Sequence, residues 1–158
     1  MNIEYRNLLP NESKAYRVIR LESLEKFPDS FGANYQEALK TEKFRIETDI
    51  ENQSLDRFVF GAFVDGELIG ICAFVKDENN TGNIYQMYVR KGFQGKNIGS
   101  GLIQAILNEA YSRFKGIEIV LEVTPKNDSA YHLYKKIGFQ EVIDEKNTES
   151  NIVMKYLV

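Results

Sequence analysis

The sequence predicts a mixed α+β fold: a single domain spanning residues 1–158, with a mostly antiparallel sheet of about six to seven strands flanked by helices on both faces. Three observations carry that expectation. Two β-branched and aromatic runs, "RFVFGAFV" and "LIGICAFV", flank Asp65-Gly66, a pair that tolerates positive φ at both positions and so marks a tight hairpin. Leu102, Ile103, Ile106, Leu107, Ala110 and Phe114 follow the i, i+3, i+4, i+7 rule of an amphipathic helix. "IEIVLEV" places Ile117, Ile119, Leu121 and Val123 on one strand face and Glu118 and Glu122 on the other.

The remaining elements follow in chain order. "IEYRNL" reads as a short strand, and a helix is expected from about Glu12 to Phe27, with Ala15, Val18, Leu21 and Leu24 facing inward and Pro28 helping to end it. A second helical stretch carries Tyr35, Leu39, Ile46 and Ile50 along one face. After the hairpin, "IYQMYV" reads as a strand that leads into "QGKNIGS", and the amphipathic helix begins there. Pro125 stops the strand "IEIVLEV". A short helix from about Ser129 to Lys136 ends at Gly138, which suits a left-handed C-terminal cap. Strands around "FQEVI" and "NIVMKYLV" close the order β-α-α-β-β-β-α-β-α-β-β.

Composition removes several classes of function. A chain of 158 residues with 20 basic and 23 acidic side chains has a net charge of −3 and lacks the basic excess needed to bind a phosphate backbone, so no nucleic-acid partner is expected. The single cysteine, Cys72, excludes a disulfide framework and reads as a buried core residue. With one histidine and no cysteine cluster, no metal site is expected. His132 reads as exposed on its short helix. The N-terminus has no basic leader with an apolar stretch, and no run approaches the ~18 apolar residues of a membrane span; a cytoplasmic protein without a membrane partner is expected.

Strand, glycine-rich turn and helix together make an anion site, because the unpaired N–H groups and the dipole at a helix start favour a phosphate. The mononucleotide loop G-x-x-x-x-G-K-[ST] finds no match at the required spacing. The dinucleotide fingerprint is half met by Gly99 and Gly101, but Gln104 stands at its third position and an antiparallel hairpin precedes the strand. The segment Gln94 to Gly99, "QGKNIG", resembles the Q/R-x-x-G-x-G/A motif of the GNAT acetyltransferase superfamily, with Asn97 in place of the first paired glycine. Asparagine is among the non-glycine residues best able to take a left-handed conformation. Downstream, "NDSAYHLYKKIGF" from Asn127 to Phe139 resembles that family's N-x-x-A-x-x-x-Y-x-x-x-G-F stretch. The resemblance covers essentially the whole chain, most strongly from about residue 57 to residue 140.

The resemblance implies acetyl-CoA as acyl donor and an amine as acceptor. Backbone N–H groups of Gln94, Gly95, Lys96, Asn97, Ile98, Gly99 and Ser100 would hold the pyrophosphate. The strand segment Met87, Tyr88 and Val89 would pair with the pantetheine arm through backbone groups of Met87 and Val89, one of them facing the thioester oxygen. Asn127 would bond the pantetheine or the strand backbone, unless it serves only to start its helix. Tyr134 matches the family's tyrosine near the coenzyme sulfur; the other reading is that it packs in the core beside Ala130 and Ile137. Its phenol, of ordinary pKa about 10, suits protonation of a departing thiolate.

An amine of pKa near 10 arrives as an ammonium ion, so a base is required. The strand Ile84–Val89 offers no carboxylate. Glu122 resembles the base position of family members that acetylate protein N-termini, with water as the alternative base and a solvated surface role as the other reading. On the acceptor side, Phe27, Phe31 and Tyr35 stand among Glu25, Asp29 and Glu37, as either a wall for an amine with an apolar body or plain helix-to-sheet packing. The resemblance also makes a homodimer an expectation. A CoA-binding but catalytically idle regulatory or interaction domain is the alternative function. The sequence leaves the acceptor open among small amines, polyamines and protein N-termini.

Overall fold

A computed structural model of the chain describes residues 2–27, 34–142 and 151–157. Its elements are β1 (Ile3–Asn7), a 3-10 turn (Pro10–Glu12), α1 (Ser13–Lys26), α2 (Tyr35–Lys40), α3 (Arg45–Glu51), β2 (Arg57–Val64), β3 (Glu67–Lys76) and β4 (Thr81–Val89). Then come α4 (Ile98–Arg113), β5 (Glu118–Val123), α5 (Asp128–Ile137), β6 (Phe139–Glu141) and β7 (Ile152–Tyr156). The strands form a seven-stranded sheet in the order β1-β2-β3-β4-β5-β7-β6. Among the described residues, only β4 and β5 pair in parallel. The mixed, mostly antiparallel sheet expected from the sequence is therefore present.

Both faces of the sheet are covered, because strand alternation supplies two cores. Phe58, Phe60 and Ala62 of β2 join the α4 residues Leu102, Ile103, Ile106 and Ala110, while Val59 and Phe63 join Tyr16, Ile19, Ile46 and Ile50 of α1 and α3. That double burial explains why "RFVFGAFV" has no polar alternation. The β2–β3 hairpin turns at Asp65 (φ 51°) and Gly66 (φ 81°), the positive pair that a two-residue hairpin prefers.

Two helical expectations are corrected. The inward face of α1 is Tyr16, Ile19, Arg20, Ser23 and Leu24, whereas Ala15 is exposed and Val18 is 59% exposed. The buried polar atoms have partners: the Tyr16 hydroxyl donates to Gln86 at 2.6 Å and the Ser23 hydroxyl to the Arg20 carbonyl at 2.6 Å. Counting apolar residues alone passes over such a face. The expected second helix is two helices, α2 and α3, separated at residues 41–44. Glu47 starts the second of them by accepting from the Phe44 N–H at 2.6 Å, and Asn34 starts the first by accepting from Glu37 N–H at 3.1 Å. Ile46 and Ile50 are buried as expected, but Ala38 is buried in place of exposed Leu39.

Gly82 lies in the parallel β4–β5 joint, opposite Ile119. A Cβ there would come within 2.4 Å of the Phe74 ring. That ring is fully buried and stacked between Phe58 and Phe114, with centroids 4.7 and 6.1 Å away, so it has no free direction in which to move. Gly82→Ala should therefore destabilise the protein by ~1–3 kcal/mol, read as a lower urea midpoint. An unchanged midpoint would mean that the stack yields.

Candidate functional site

The parallel ladder runs from Thr81↔Glu118 to Ile84↔Leu121 and goes no further, although β4 continues to Val89 and β5 to Val123. The strands part because β4 carries a bulge. Tyr85 faces Ala73 and Tyr88 faces Ile71, so Gln86 and Met87 together oppose Cys72. Gln86 takes φ 59°, which costs a non-glycine residue about 1–2 kcal/mol. The extra residue also changes the parity of β4. Ile84 and Val89 sit in the α4-side core, and Tyr88 sits in the α1-side core.

Between the parted strands lies a cavity of about 790 Å³. Its floor is the β4 segment from Tyr85 to Val89, including Met87 and Tyr88, and its opposite wall is Leu121 to Thr124 of β5, including Glu122. Asn127 and Tyr134 enter from α5. One end is closed by the turn before α4, through Gln94, Gly95, Asn97, Ile98, Gly99 and Ser100. Arg20 reaches it from α1 and Phe27 from the residue just past the end of α1. Lys96 is exposed and Tyr35 sits at the start of α2; neither lines the cavity. Phe31 lies outside the described residues.

The turn is built to present backbone donors. Gly95 has φ 77° and Asn97 φ 63°, so the asparagine does occupy the left-handed conformation that the family's glycine would take. The first α4 bond runs from Gly101 N–H to the Asn97 carbonyl at 3.1 Å, and the Asn97 side chain makes no cap hydrogen bond. The amides of Ile98, Gly99 and Ser100 therefore precede the helical ladder, at the positive end of its dipole. Gln94 ties the turn to the strand by donating to the Val89 carbonyl at 2.8 Å.

Along β4, Arg90 N–H bonds the Ile69 carbonyl at 2.9 Å and Tyr88 lies opposite Ile71. Antiparallel alternation therefore turns the N–H groups of Met87 and Val89 away from β3, toward the cavity. Tyr134 is buried, with its ring edge-on to Phe139 at 6.1 Å, so packing and cavity lining coexist in one side chain. Burial, with a smaller contribution from the nearby Cys72 thiol, holds its pKa well above the ordinary phenol value. Burial likewise pushes the Cys72 thiol up. Asn127 caps α5, accepting from Ala130 N–H at 3.2 Å, and also faces the cavity.

Glu122 is exposed on the face of β5 opposite Leu121. The register that pairs Ile84 with Leu121 makes Tyr85 its neighbour at the point where the strands part. The Tyr85 phenol is raised by burial first and then by the Glu122 charge. Burial lowers Arg20, and the neighbouring Tyr16 partly offsets this. His132 is exposed, as expected. Sequence reasoning missed Tyr85, Gln86, Arg20 and Asn151 as lining residues. No local sequence pattern marks them; Tyr85 is brought beside Glu122 by the β4–β5 register, which only the folded sheet sets.

Comparison with known proteins places this architecture. The acetyltransferase (GNAT) family model matches residues 20–139. The chain belongs to the GNAT acetyltransferase family. A probable spermine N(1)-acetyltransferase of Bacillus subtilis subsp. natto is 25% identical over 87 residues, covering 51% of this chain and 57% of the relative. An N-alpha-acetyltransferase of Sulfurisphaera tokodaii is 34% identical over 95 residues, covering 52% and 56%. The matches thus span little more than half the length of these curated relatives. Among solved structures, a PaiA N-acetyltransferase from Thermoplasma acidophilum in complex with coenzyme A superposes with TM-score 0.78 at 23% identity, over 99% of both chains. That likeness shows a shared overall fold. Among the described residues, no helix is long and apolar enough to cross a membrane, and no group of side chains is arranged to hold a metal ion.

Proposed function

We propose that this chain is an acetyl-CoA-dependent N-acetyltransferase that transfers the acetyl group to a primary amine by direct attack in a ternary complex. The observation that carries the proposal is the coincidence, in one cavity, of the parted β4–β5 strands, the left-handed Asn97 turn with its unladdered amides, and the buried Tyr134. The two curated relatives act, by name, on a polyamine and on an N-terminal amine. An amine nucleophile is the chemistry they share.

Acetyl-CoA supplies an activated thioester carbonyl. The amides of Ile98, Gly99 and Ser100 hold its pyrophosphate, with Gly95 and Asn97 shaping the turn. Met87 and Val89 pair with the pantetheine arm as an added strand would, and the Met87 N–H faces the oxygen on which charge develops. Glu122, at the mouth of the splay, accepts the ammonium proton directly or through water. The nitrogen lone pair then forms the N–C bond and the C–S bond breaks. Tyr134, kept protonated by burial, gives its proton to the departing thiolate, and the second proton of the attacking nitrogen, shed as the amide forms, returns to the phenolate oxygen directly or through water.

Titration of the full chain with CoA tests the cradle. Binding is expected, and Asn97→Gly should leave the affinity unchanged or tighten it, since glycine reaches the same φ without strain. A large loss would mean that the Asn97 side chain itself contacts the ligand. No CoA binding by the unaltered chain would overturn the function.

A further inference from the structure

The β4 bulge is held from the α1 side of the sheet at two points. Tyr16, 1% exposed, donates its hydroxyl proton to Gln86 Oε1 at 2.6 Å. Six residues farther along α1, Glu22 accepts from the Tyr88 hydroxyl at 2.7 Å. Gln86 and Tyr88 are the neighbours of Met87, so α1 grips the strand on either side of the amide that the mechanism uses.

Gln86 is the member of the bulge that needs support. Its φ of 59° lies in a region that glutamine seldom visits and that persists when surrounding contacts over-determine it. Burial raises the Tyr16 phenol, so it remains a proton donor across the working pH range. The bond to Gln86 therefore does not switch off.

We propose that Tyr16 is a positioning residue for acetyl transfer: its hydrogen bond to Gln86 fixes the bulge so that the Met87 amide points at the thioester oxygen. This rests on the assignment of the Met87 amide made above. A displacement of about 1 Å at such a donor costs up to ~10²-fold in rate, so a brace on the strand has kinetic consequences although it touches no substrate.

The test reads the Met87 amide directly, by ¹⁵N–¹H spectroscopy of the full chain saturated with CoA and then with acetyl-CoA. In the unaltered protein, the Met87 resonance should differ between the two complexes more than other β4 amides do, because only acetyl-CoA supplies the carbonyl. Tyr16→Phe should keep CoA affinity and remove most of that difference, with kcat down ~10-fold and KM for acetyl-CoA little changed. In a Gln86→Gly background, where the left-handed conformation costs nothing, adding Tyr16→Phe should change the resonance little further.

If the unaltered Met87 amide does not distinguish acetyl-CoA from CoA, its assignment to the oxyanion falls and the proposal falls with it. If it does distinguish them and Tyr16→Phe retains the full difference, the positioning role alone is overturned. Should Tyr16→Phe fail to fold, Gln86→Met removes the same hydrogen bond from the strand side and is read in the same way.

Discussion

Replacing Tyr134 with phenylalanine is expected to lower kcat by ~10²-fold or more while KM for acetyl-CoA stays nearly constant. The substitution keeps the ring, and with it the edge-on packing on Phe139 and the burial that closes this side of the cavity. Only the hydroxyl is lost. The sulfur gains negative charge as the C–S bond lengthens, and a phenol held in contact can deliver its proton there while the attacking nitrogen, shedding a proton as the amide forms, restores it. Burial raises the Tyr134 pKa, so the proton stays in place and no loss of activity through this group is expected below about pH 10. Steady-state kinetics at saturating amine would show the effect. An unaltered kcat would leave Tyr134 as a packing residue that happens to line the cavity.

Glu122→Gln should lower kcat/KM for the amine by ~10²-fold, because the amide that replaces the carboxylate cannot accept the ammonium proton. Glu122 is exposed on its strand, and its neighbours Leu121 and Val123 carry the packing, so stability should be unaffected. An unchanged kcat/KM would move the base role to water or to the substrate itself. Tyr85, the register neighbour of Glu122, would then be the next side chain to replace.

Much of this arrangement could be read from the residue pattern. The α4 helix and the one-sided strand β5 each repeat one periodicity, the β2–β3 hairpin is marked by its Asp65-Gly66 turn, and each is where the pattern put it. Asn97 could be read as a left-handed turn residue because few side chains tolerate that conformation. The bulge at Gln86 could not, because glutamine is not enriched at positive φ and nothing local marks it. The bulge is imposed by the way β4 pairs with β3, yet it parts the strands and turns Tyr88 toward α1. The α1 face was misread for a related reason. Its inward residues include Tyr16, Arg20 and Ser23, whose polar atoms count against burial in a hydropathy pattern but find partners once the sheet is in place. Arg20 and Asn151 come to the cavity from elements far apart in sequence, and only the tertiary structure brings them together.

The central claim is that the parted strands bind acetyl-CoA and pass its acetyl group to an amine. The most direct measurement is thiol release from acetyl-CoA by the full chain against a panel of amines spanning small monoamines, polyamines and a peptide with a free N-terminus, with each mixture followed by mass spectrometry. Amine-dependent thiol release, matched by an acetyl mass increment on that amine, is the predicted result. Tight CoA binding with no release above the amine-free rate for any acceptor would contradict it, and would make this cavity the ligand site of a catalytically idle domain.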